Sequence, residues 1–229
     1  MSAIALSPKR GGIATEANGN GNHQSVQIAP PNIKTACFTI KGTAPLVIHR
    51  FSQKAKNMML DTMKAGSTAR GKKKREPLDE QATFNQSRYI SREGWDGFNV
   101  SSVRCALISS CRLVGFKMTL AKLSVFVEED GRDKDEPQFG LIRILDAKPV
   151  MQQDIARVET GQAYVTIRAA YHDWKAKIRI RFDADQFTVV DVSNLLARAG
   201  AQVGIGEGRP DSKNSCGMGW GTFAIENEK

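Results

Sequence analysis

The sequence has few of the residues that build metal centres and disulfide scaffolds. Its 229 residues include four cysteines and three histidines, and no two cysteines form a CxxC pair. Scattered thiols of this kind are typical of a reducing cytoplasm, and they favour neither a zinc site nor a disulfide framework. We therefore expect a cytoplasmic protein without a metal or another cofactor.

Long apolar runs are missing as well. No stretch approaches the run of about 18 apolar residues that a transmembrane helix requires. The N-terminal segment MSAIALSPKRGG also lacks the apolar core, about 7–15 residues long, of a signal peptide. These two absences predict that the protein neither spans a membrane nor is secreted.

Basic residues are abundant instead. The 33 lysines and arginines exceed the 24 acidic residues, so the net charge is +9, and the hydrophobic fraction of 41% is enough for a packed core. A globular protein with this charge balance favours polyanionic partners, of which nucleic acid is the first to consider.

The composition divides the chain into a tail and one domain. Residues 1–32 are rich in Gly, Asn, Ser and Pro, and they have too few large apolar side chains to offset the entropy of ordering. We expect a disordered tail over these residues and a single domain over 33–229. Residues 66–80 show no apolar periodicity, which predicts a mobile basic loop inside that domain.

Apolar patterns predict the elements of the first half of the domain. Residues 36–51 predict a strand and a turn, and residues 52–66 predict a helix whose methionines pack in the core. Residues 120–145 predict two strands around a solvated acidic turn at 128–136. Between these segments, residues 101–114 predict a helix with one apolar stripe: Val103, Leu107, Cys111, Leu113 and Val114.

The second half adds a hairpin, a helix and a strand. Residues 163–184 predict a β-hairpin whose return strand alternates between cations and apolar residues. A last helix begins at Asp191 and is closed by Gly200, and a glycine-rich loop leads to a short final strand. Alternating strands and helices with antiparallel hairpins predict an α+β fold of ferredoxin-like type, in which an antiparallel sheet packs against helices.

Two segments concentrate positive charge. Residues 54–92 hold ten basic and four acidic residues, and the flexible loop within them is suited to phosphate contacts. In residues 175–181 four cations share one face of a strand, where they repel one another unless an anion lies beside them. Both segments predict contact with the backbone of a nucleic acid.

The C-terminal loop carries six glycines between residues 204 and 221. Glycine allows a close approach of the backbone and leaves N–H groups accessible to phosphate oxygens. The loop lacks the context of a Walker A motif or a dinucleotide-binding fingerprint. We expect it to hold phosphate or to pack against a second subunit. The candidates for base stacking are Trp220, flanked by glycines, and Trp95, Phe98, Tyr171 and Trp174, which core packing would also explain.

These motifs resemble a known family. The glycine loop after a helix, residues 43–48 (TAPLVI) and residues 100–104 (VSSVR) are similar to motifs of the RAMP superfamily, which includes CRISPR backbone subunits and crRNA-processing endoribonucleases. Residues 35–227 also resemble a group of phage and prophage proteins, through HRF at 49–51, KMT at 117–119 and VGIGEGRP at 203–210. The resemblance implies an RRM-related, RAMP-like fold that binds single-stranded nucleic acid.

Together the patterns predict a non-catalytic, sequence-tolerant binder of single-stranded nucleic acid, of phage or prophage origin, that forms homo-oligomers or filaments along the strand in the bacterial cytoplasm. No residue is predicted to be catalytic or to bind a metal. The predicted contact residues are His49, Arg50, Lys54, Lys72, Lys73, Lys74, Arg75, Lys175, Lys177, Arg179, Arg181, Gly204, Gly206, Gly208, Arg209, Lys213 and Trp220.

Two alternatives remain open at this point. The first is a metal-independent endoribonuclease, since the resemblance places a general acid or base at His49, with Arg50 and Lys54 nearby to stabilise the transition state. The second is a protein–protein module that inserts into a host complex. The sequence does not separate DNA from RNA, because no group that would contact the 2′-OH can be located in it.

Overall fold

The structure, a computed structural model, describes residues 28–51, 53–65, 79–157, 163–212 and 216–226. Its first elements are β1 (Ile33–Gly42), β2 (Leu46–Ile48), α1 (Gln53–Ala65), α2 (Glu80–Gln86), β3 (Tyr89–Ile90), β4 (Asp96–Asn99), α3 (Val100–Ser110) and α4 (Met118–Ser124). The later elements are β5 (Val125–Val127), β6 (Gly131–Arg132), β7 (Gly140–Arg143), β8 (Pro149–Arg157), β9 (Ala163–Tyr171), β10 (Lys175–Asp183), α5 (Val189–Arg198) and β11 (Phe223–Ile225).

The protein is a mixed α+β structure with three antiparallel sheets. Sheet A has the strand order β11-β1-β10-β5, sheet B the order β2-β9-β8, and sheet C the order β3-β4-β7-β6. Neighbouring strands in all three sheets run antiparallel. None of the helices in the described part of the chain is long and apolar enough to cross a membrane.

The main core lies between sheet A and helices α3 and α5. On β10 every second residue, including Ile178 and Ile180, is fully buried and belongs to one cluster with Leu107 of α3 and Leu196 of α5. The strict alternation predicted for this strand is confirmed. Because side chains alternate across a strand, the cations of β10 must lie on the opposite face of sheet A, away from the helices. We call this surface the outer face.

The predicted hairpin of residues 163–184 is wrong. β9 and β10 follow one another in the chain, but β9 lies between β2 and β8, whereas β10 lies between β1 and β5. Between the two strands Asp173 adopts a left-handed φ of +53°, and Trp174 is fully buried. Its ring packs edge to face against Phe98 of sheet C and Phe223 of sheet A. Burial of this side chain between the sheets stabilises the passage from sheet B to sheet A, which no local alternation pattern encodes.

Three helix boundaries also differ from the prediction. Residues 120–124, expected in a strand, belong to α4. Helix α3 ends at Ser110 and a 3-10 turn follows, so Leu113 and Val114 leave the apolar stripe and are 50% and 48% exposed. Helix α5 begins at Val189, ahead of the predicted start, because Thr188 and Asp191 form a capping box. Gly200 lies buried in a π-helical turn, and Gly204 ends that turn with a φ of +72°.

The methionines of α1 do not pack in the core as predicted. Met58, Met59 and Met63 are 48%, 58% and 78% exposed, and Leu60 is 50% exposed. The helical spacing of these residues was correct, but periodicity indicates only that they share a face and not what covers that face. The helix therefore presents an apolar surface to solvent.

Candidate nucleic-acid interface

The outer face of sheet A carries the cations that the sequence places on one side of β10. Lys177 and Arg181 are exposed there, and Lys175 and Arg179 are half-buried. The antiparallel register sets Lys177 opposite Thr39 and Arg181 opposite Thr35 of β1. Small polar residues on the neighbouring strand leave this face flat and open to solvent.

Acidic residues neutralise two of the four cations. Lys175 lies 2.8 Å from a carboxylate oxygen of Glu226, which raises the pKa of that lysine. Arg179 pairs with Asp130 at 3.0 Å and Glu128 at 3.4 Å, because the segment after β5 folds back beside β10. The expectation of four unpaired cations in a row is therefore wrong.

The remaining cations of the outer face have no acidic partner within the described residues. These are Lys41 and Lys177, together with Arg181, whose guanidinium lies 5.3 Å from the ring centroid of Phe126. The guanidinium of Arg104 also lies over the ring of Phe126, 5.0 Å from its centroid. The outer face thus combines cations that lack acidic partners among the described residues with one aromatic ring that two guanidinium groups contact.

The aromatic residues considered for base stacking differ in their burial. Phe98, Tyr171 and Trp174 are buried and serve the core. Trp220 lies against Gly208, where an added Cβ would come within 2.4 Å of the indole, so this residue packs on its own loop. Trp95 is half-buried on sheet C.

A cleft of about 360 Å³ is lined by residues from all three motif segments. Its lining includes His49 after β2, Ser101 and Ser102 in the first turn of α3, and residues 203–207 of the glycine loop. The sequence motifs at residues 43–48, 100–104 and 204–221 are therefore neighbours in space.

The glycine loop is constrained as its composition predicts. All six of its glycines have a positive φ: Gly204, Gly206, Gly208, Gly217, Gly219 and Gly221. At Gly206 an added Cβ would lie 2.5 Å from the carbonyl oxygen of Val47, so only glycine allows this approach to β2.

Backbone N–H groups of the loop donate hydrogen bonds to carbonyl groups of the protein itself. Glu207 N–H donates to the Val47 carbonyl at 2.9 Å, and Gly221 N–H donates to the Pro45 carbonyl at 2.8 Å. The guanidinium of Arg209 donates to the Gly206 carbonyl at 3.0 Å. The two backbone bonds tie β2 and the turn before it to the C-terminal segment, whereas the Arg209 bond lies within the loop, and these N–H groups are not available to a phosphate.

His49 is exposed at the edge of this cleft and makes no hydrogen bond with a described residue. Partial burial of the ring and the positive charge of Arg168 lower its pKa, although Glu207 acts in the opposite direction. The imidazole is therefore neutral at pH 7 and can accept a hydrogen bond. A base or acid in catalysis also needs partners that orient it, and no such partner is in hydrogen-bond contact here.

Arg50 is not available to a nucleic acid, which contradicts the prediction. Its side chain is buried, and its guanidinium contacts Asp133 at 2.9 Å, Asp135 at 3.0 Å and Glu136 at 3.3 Å. The ring of Tyr89 lies 5.6 Å from the same group. The acidic turn at 128–136 is therefore not simply solvated as expected, because Asp133 is fully buried as the partner of Arg50.

Several predicted contact residues lie outside the described part of the chain. These are Lys72, Lys73, Lys74, Arg75 and Lys213, together with the side chain of Lys54. Sequence reasoning also missed Lys41 on the outer face, Arg104 of α3, which contacts Phe126, and Arg143 of β7, which contacts Trp95. Each stands alone in its segment and joins the surface only through strand pairing or helix packing, so no local pattern could have identified it.

The described residues contain no group of three or more His, Cys, Asp or Glu side chains that could hold a metal ion. The chemistry that the two surfaces offer is charge, hydrogen bonding and aromatic stacking. The chain matches no protein-family model and no curated protein.

Proposed function

We propose that this protein is a non-catalytic, sequence-tolerant binder of single-stranded nucleic acid. The observation that carries the proposal is the open outer face of sheet A, on which Lys41, Lys177 and Arg181 stand without acidic partners among the described residues. Cations on a flat sheet can contact successive phosphates without reading base edges. Such a surface suits a flexible single strand, of DNA or of RNA.

The fold proposal follows from the order of the elements around sheet A. The path β1-α3-β5-β10-α5-β11 with the strand order β11-β1-β10-β5 supports a ferredoxin-like, RRM-related skeleton. Sheets B and C are then elaborations of this skeleton. The position of the glycine loop, between α5 and the last strand, supports the RAMP-like, phage-type relationship. A protein of this kind would act in the bacterial cytoplasm, where thiols stay reduced.

We further propose that copies of the chain assemble along the strand. Exposed apolar side chains on α1 (Met59, Leu60 and Met63) and on the β8–β9 ribbon (Ile155 and Val165) support this proposal, because clustered exposed apolar residues mark interaction surfaces. Size-exclusion chromatography and electron microscopy with a long single strand test it. A large shift or filaments are expected, whereas no effect of the strand would favour the alternative of a module for a host protein.

Binding should weaken steeply with salt. For a single strand, the logarithm of the association constant should fall with the logarithm of salt concentration by about 0.7 for each neutralised phosphate. Replacing both Lys177 and Arg181 with Ala should lower the affinity for all sequences alike and reduce that slope by about 1.4. Fluorescence anisotropy with a labelled oligonucleotide at several salt concentrations measures both quantities.

The matched control replaces Lys117 and Lys148 with Ala, two exposed lysines outside sheet A. This variant removes the same charge and should retain most of the slope of the parent. Equal losses in both variants would mean that net charge, and not the outer face, governs binding.

Replacement of His49 with Ala should leave binding within about twofold of the parent, because the lowered pKa of His49 leaves the ring neutral at pH 7 and it makes no hydrogen bond with a described residue. The parent protein should not cut RNA in the presence of EDTA. Gel analysis of a labelled RNA checks this prediction. A 2′,3′-cyclic phosphate product that disappears in His49→Ala would establish the endoribonuclease instead.

A further inference from the structure

Trp95 lies flat on the surface of sheet C. A Cβ added to Gly97 of β4 would come within 2.9 Å of the indole, and one added to Gly131 of β6 would come within 2.8 Å. The ring therefore spans the backbones of two strands where only glycine permits contact. Leu141, which pairs with Gly131, is fully buried on this side of the sheet. The indole thus packs on the sheet backbone, and part of the half-buried side chain remains accessible to solvent.

The surroundings hold the indole in place. Its Nε1–H donates to Glu93 at 2.9 Å, and the guanidinium of Arg143 lies 5.9 Å from the ring centroid. Two cations of the outer face, Lys177 and Arg179, complete a pocket of about 260 Å³. The pocket therefore joins the outer face of sheet A, where we place the strand, to a fixed aromatic ring.

Some charged groups of the pocket form ion pairs with one another, and others have no acidic partner within the described residues. Asp130 accepts from the backbone N–H of Arg143 at 2.9 Å and pairs with Arg179 at 3.0 Å, so this carboxylate and this guanidinium compensate each other. Lys177 has no ion-pair partner within the described residues, and the guanidinium of Arg143 lies over the Trp95 ring with no acidic side chain paired to it in that part of the chain. Two cations without acidic partners among the described residues thus stand beside an aromatic ring that packing and a hydrogen bond hold in place. This combination suits a planar base that is attached to a phosphate.

We propose that the Trp95 pocket takes one unpaired nucleobase, stacked on the indole, with the adjoining phosphate at Lys177. The inference rests on the proposed function and adds to it a defined base site. A volume of about 260 Å³ is smaller than the roughly 300–1,000 Å³ of pockets that enclose whole ligands. The pocket therefore has room for a single base, and because a base paired in a duplex is not free to stack on the indole, we expect single strands to bind in preference to duplexes.

Two strands of equal length test the proposal, an oligothymidine and its fully abasic counterpart. Both carry the same phosphates, so only the oligothymidine should quench the fluorescence of Trp95 and gain affinity from stacking. Trp174 is fully buried and out of reach of a bound base, and a Trp220→Phe background removes the other partly exposed indole, so that any quenching reports on Trp95. Trp95→Leu should lower the affinity for oligothymidine about 5- to 140-fold and leave the affinity for the abasic strand unchanged. Lys177→Ala should lower the affinity for both strands. Lys148→Ala is its matched control.

The outcomes separate this proposal from the function on which it rests. Equal, salt-dependent binding of both strands without quenching would overturn the base site and leave strand binding intact. If neither strand binds, the proposed function fails. A titration with thymidine monophosphate, followed by Trp95 fluorescence, then tests the base site by itself. Quenching of Trp95 by the mononucleotide would support the base site, and its absence would overturn it. The comparison of two strands needs no substitution at Trp95, so it remains decisive even if Trp95→Leu does not fold.

Discussion

Replacement of Arg50 with Met should lower the free energy of unfolding by about 3–5 kcal/mol, the range measured when one member of a buried ion pair is removed. Arg50 is 9% exposed and Asp133 is fully buried, and the guanidinium is the only cation in contact with Asp133 among the described residues. Methionine fills a similar volume but leaves the carboxylate without its charge partner. Urea denaturation followed by circular dichroism measures the loss.

Arg132→Met is the matched control, because Arg132 is the neighbour of Asp133 in the acidic turn. Arg132 pairs with Glu129 at 2.8 Å, but both side chains are well exposed, at 57% and 41%. Exposed pairs contribute about 0–1 kcal/mol, so this variant should behave almost like the parent. Similar losses for Arg50→Met and Arg132→Met would contradict the buried role assigned to Arg50.

The Arg50 cluster also predicts a pH dependence. Lys56 donates to Glu136 and Arg50 lies beside it, and these contacts hold the pKa of Glu136 below its ordinary value. A carboxyl group with a lowered folded pKa stabilises the protein above its unfolded pKa, and this stability is lost as the pH falls through the folded pKa. Acid should therefore destabilise the parent more steeply than Arg50→Met, which has already lost part of the interaction. Parallel acid titrations of the two proteins would contradict this account.

Two glycine substitutions should lower the free energy of unfolding by different amounts although the two glycines have the same φ. Gly206 and Gly219 both have a φ of +76°, so alanine at either position carries the same left-handed strain of about 1–2 kcal/mol. At Gly206 the new Cβ would also lie 2.5 Å from the Val47 carbonyl, whereas nothing lies within 4 Å at Gly219. We expect Gly206→Ala to lose roughly 1–3 kcal/mol more than Gly219→Ala, the usual range for overpacking.

Thermal or urea unfolding of the two variants measures this difference. Strand binding by the folded fraction of each variant should match the parent, because the loop uses its N–H groups for the fold. Equal stability losses would remove the steric argument. Folded Gly206→Ala protein that no longer binds would instead place the loop in direct contact with the strand.

The candidate site differs from the sequence-based prediction at the cations whose acidic partners lie far away in the chain. Four cations on one face of β10 were correctly placed, but Lys175 and Arg179 meet acids from other segments. Arg50 and Asp133 are 83 residues apart in the chain, so no motif could connect them. The burial of a charged group depends on which distant segment covers it, and that information is absent from a pattern of neighbours.

The sequence by itself determined the features that depend on local geometry. The alternation along β10 follows from the period of two in a strand, the glycine loop from backbone angles that other residues rarely adopt, and the α+β class from the order of apolar patterns. Only the tertiary structure decided which strands pair, because β9 and β10 follow one another in the chain yet lie in separate sheets, with Trp174 buried between them. It also decided that Arg50 lies in the interior and Trp95 on the surface. Both outcomes are set by packing among distant residues, which a linear pattern does not contain.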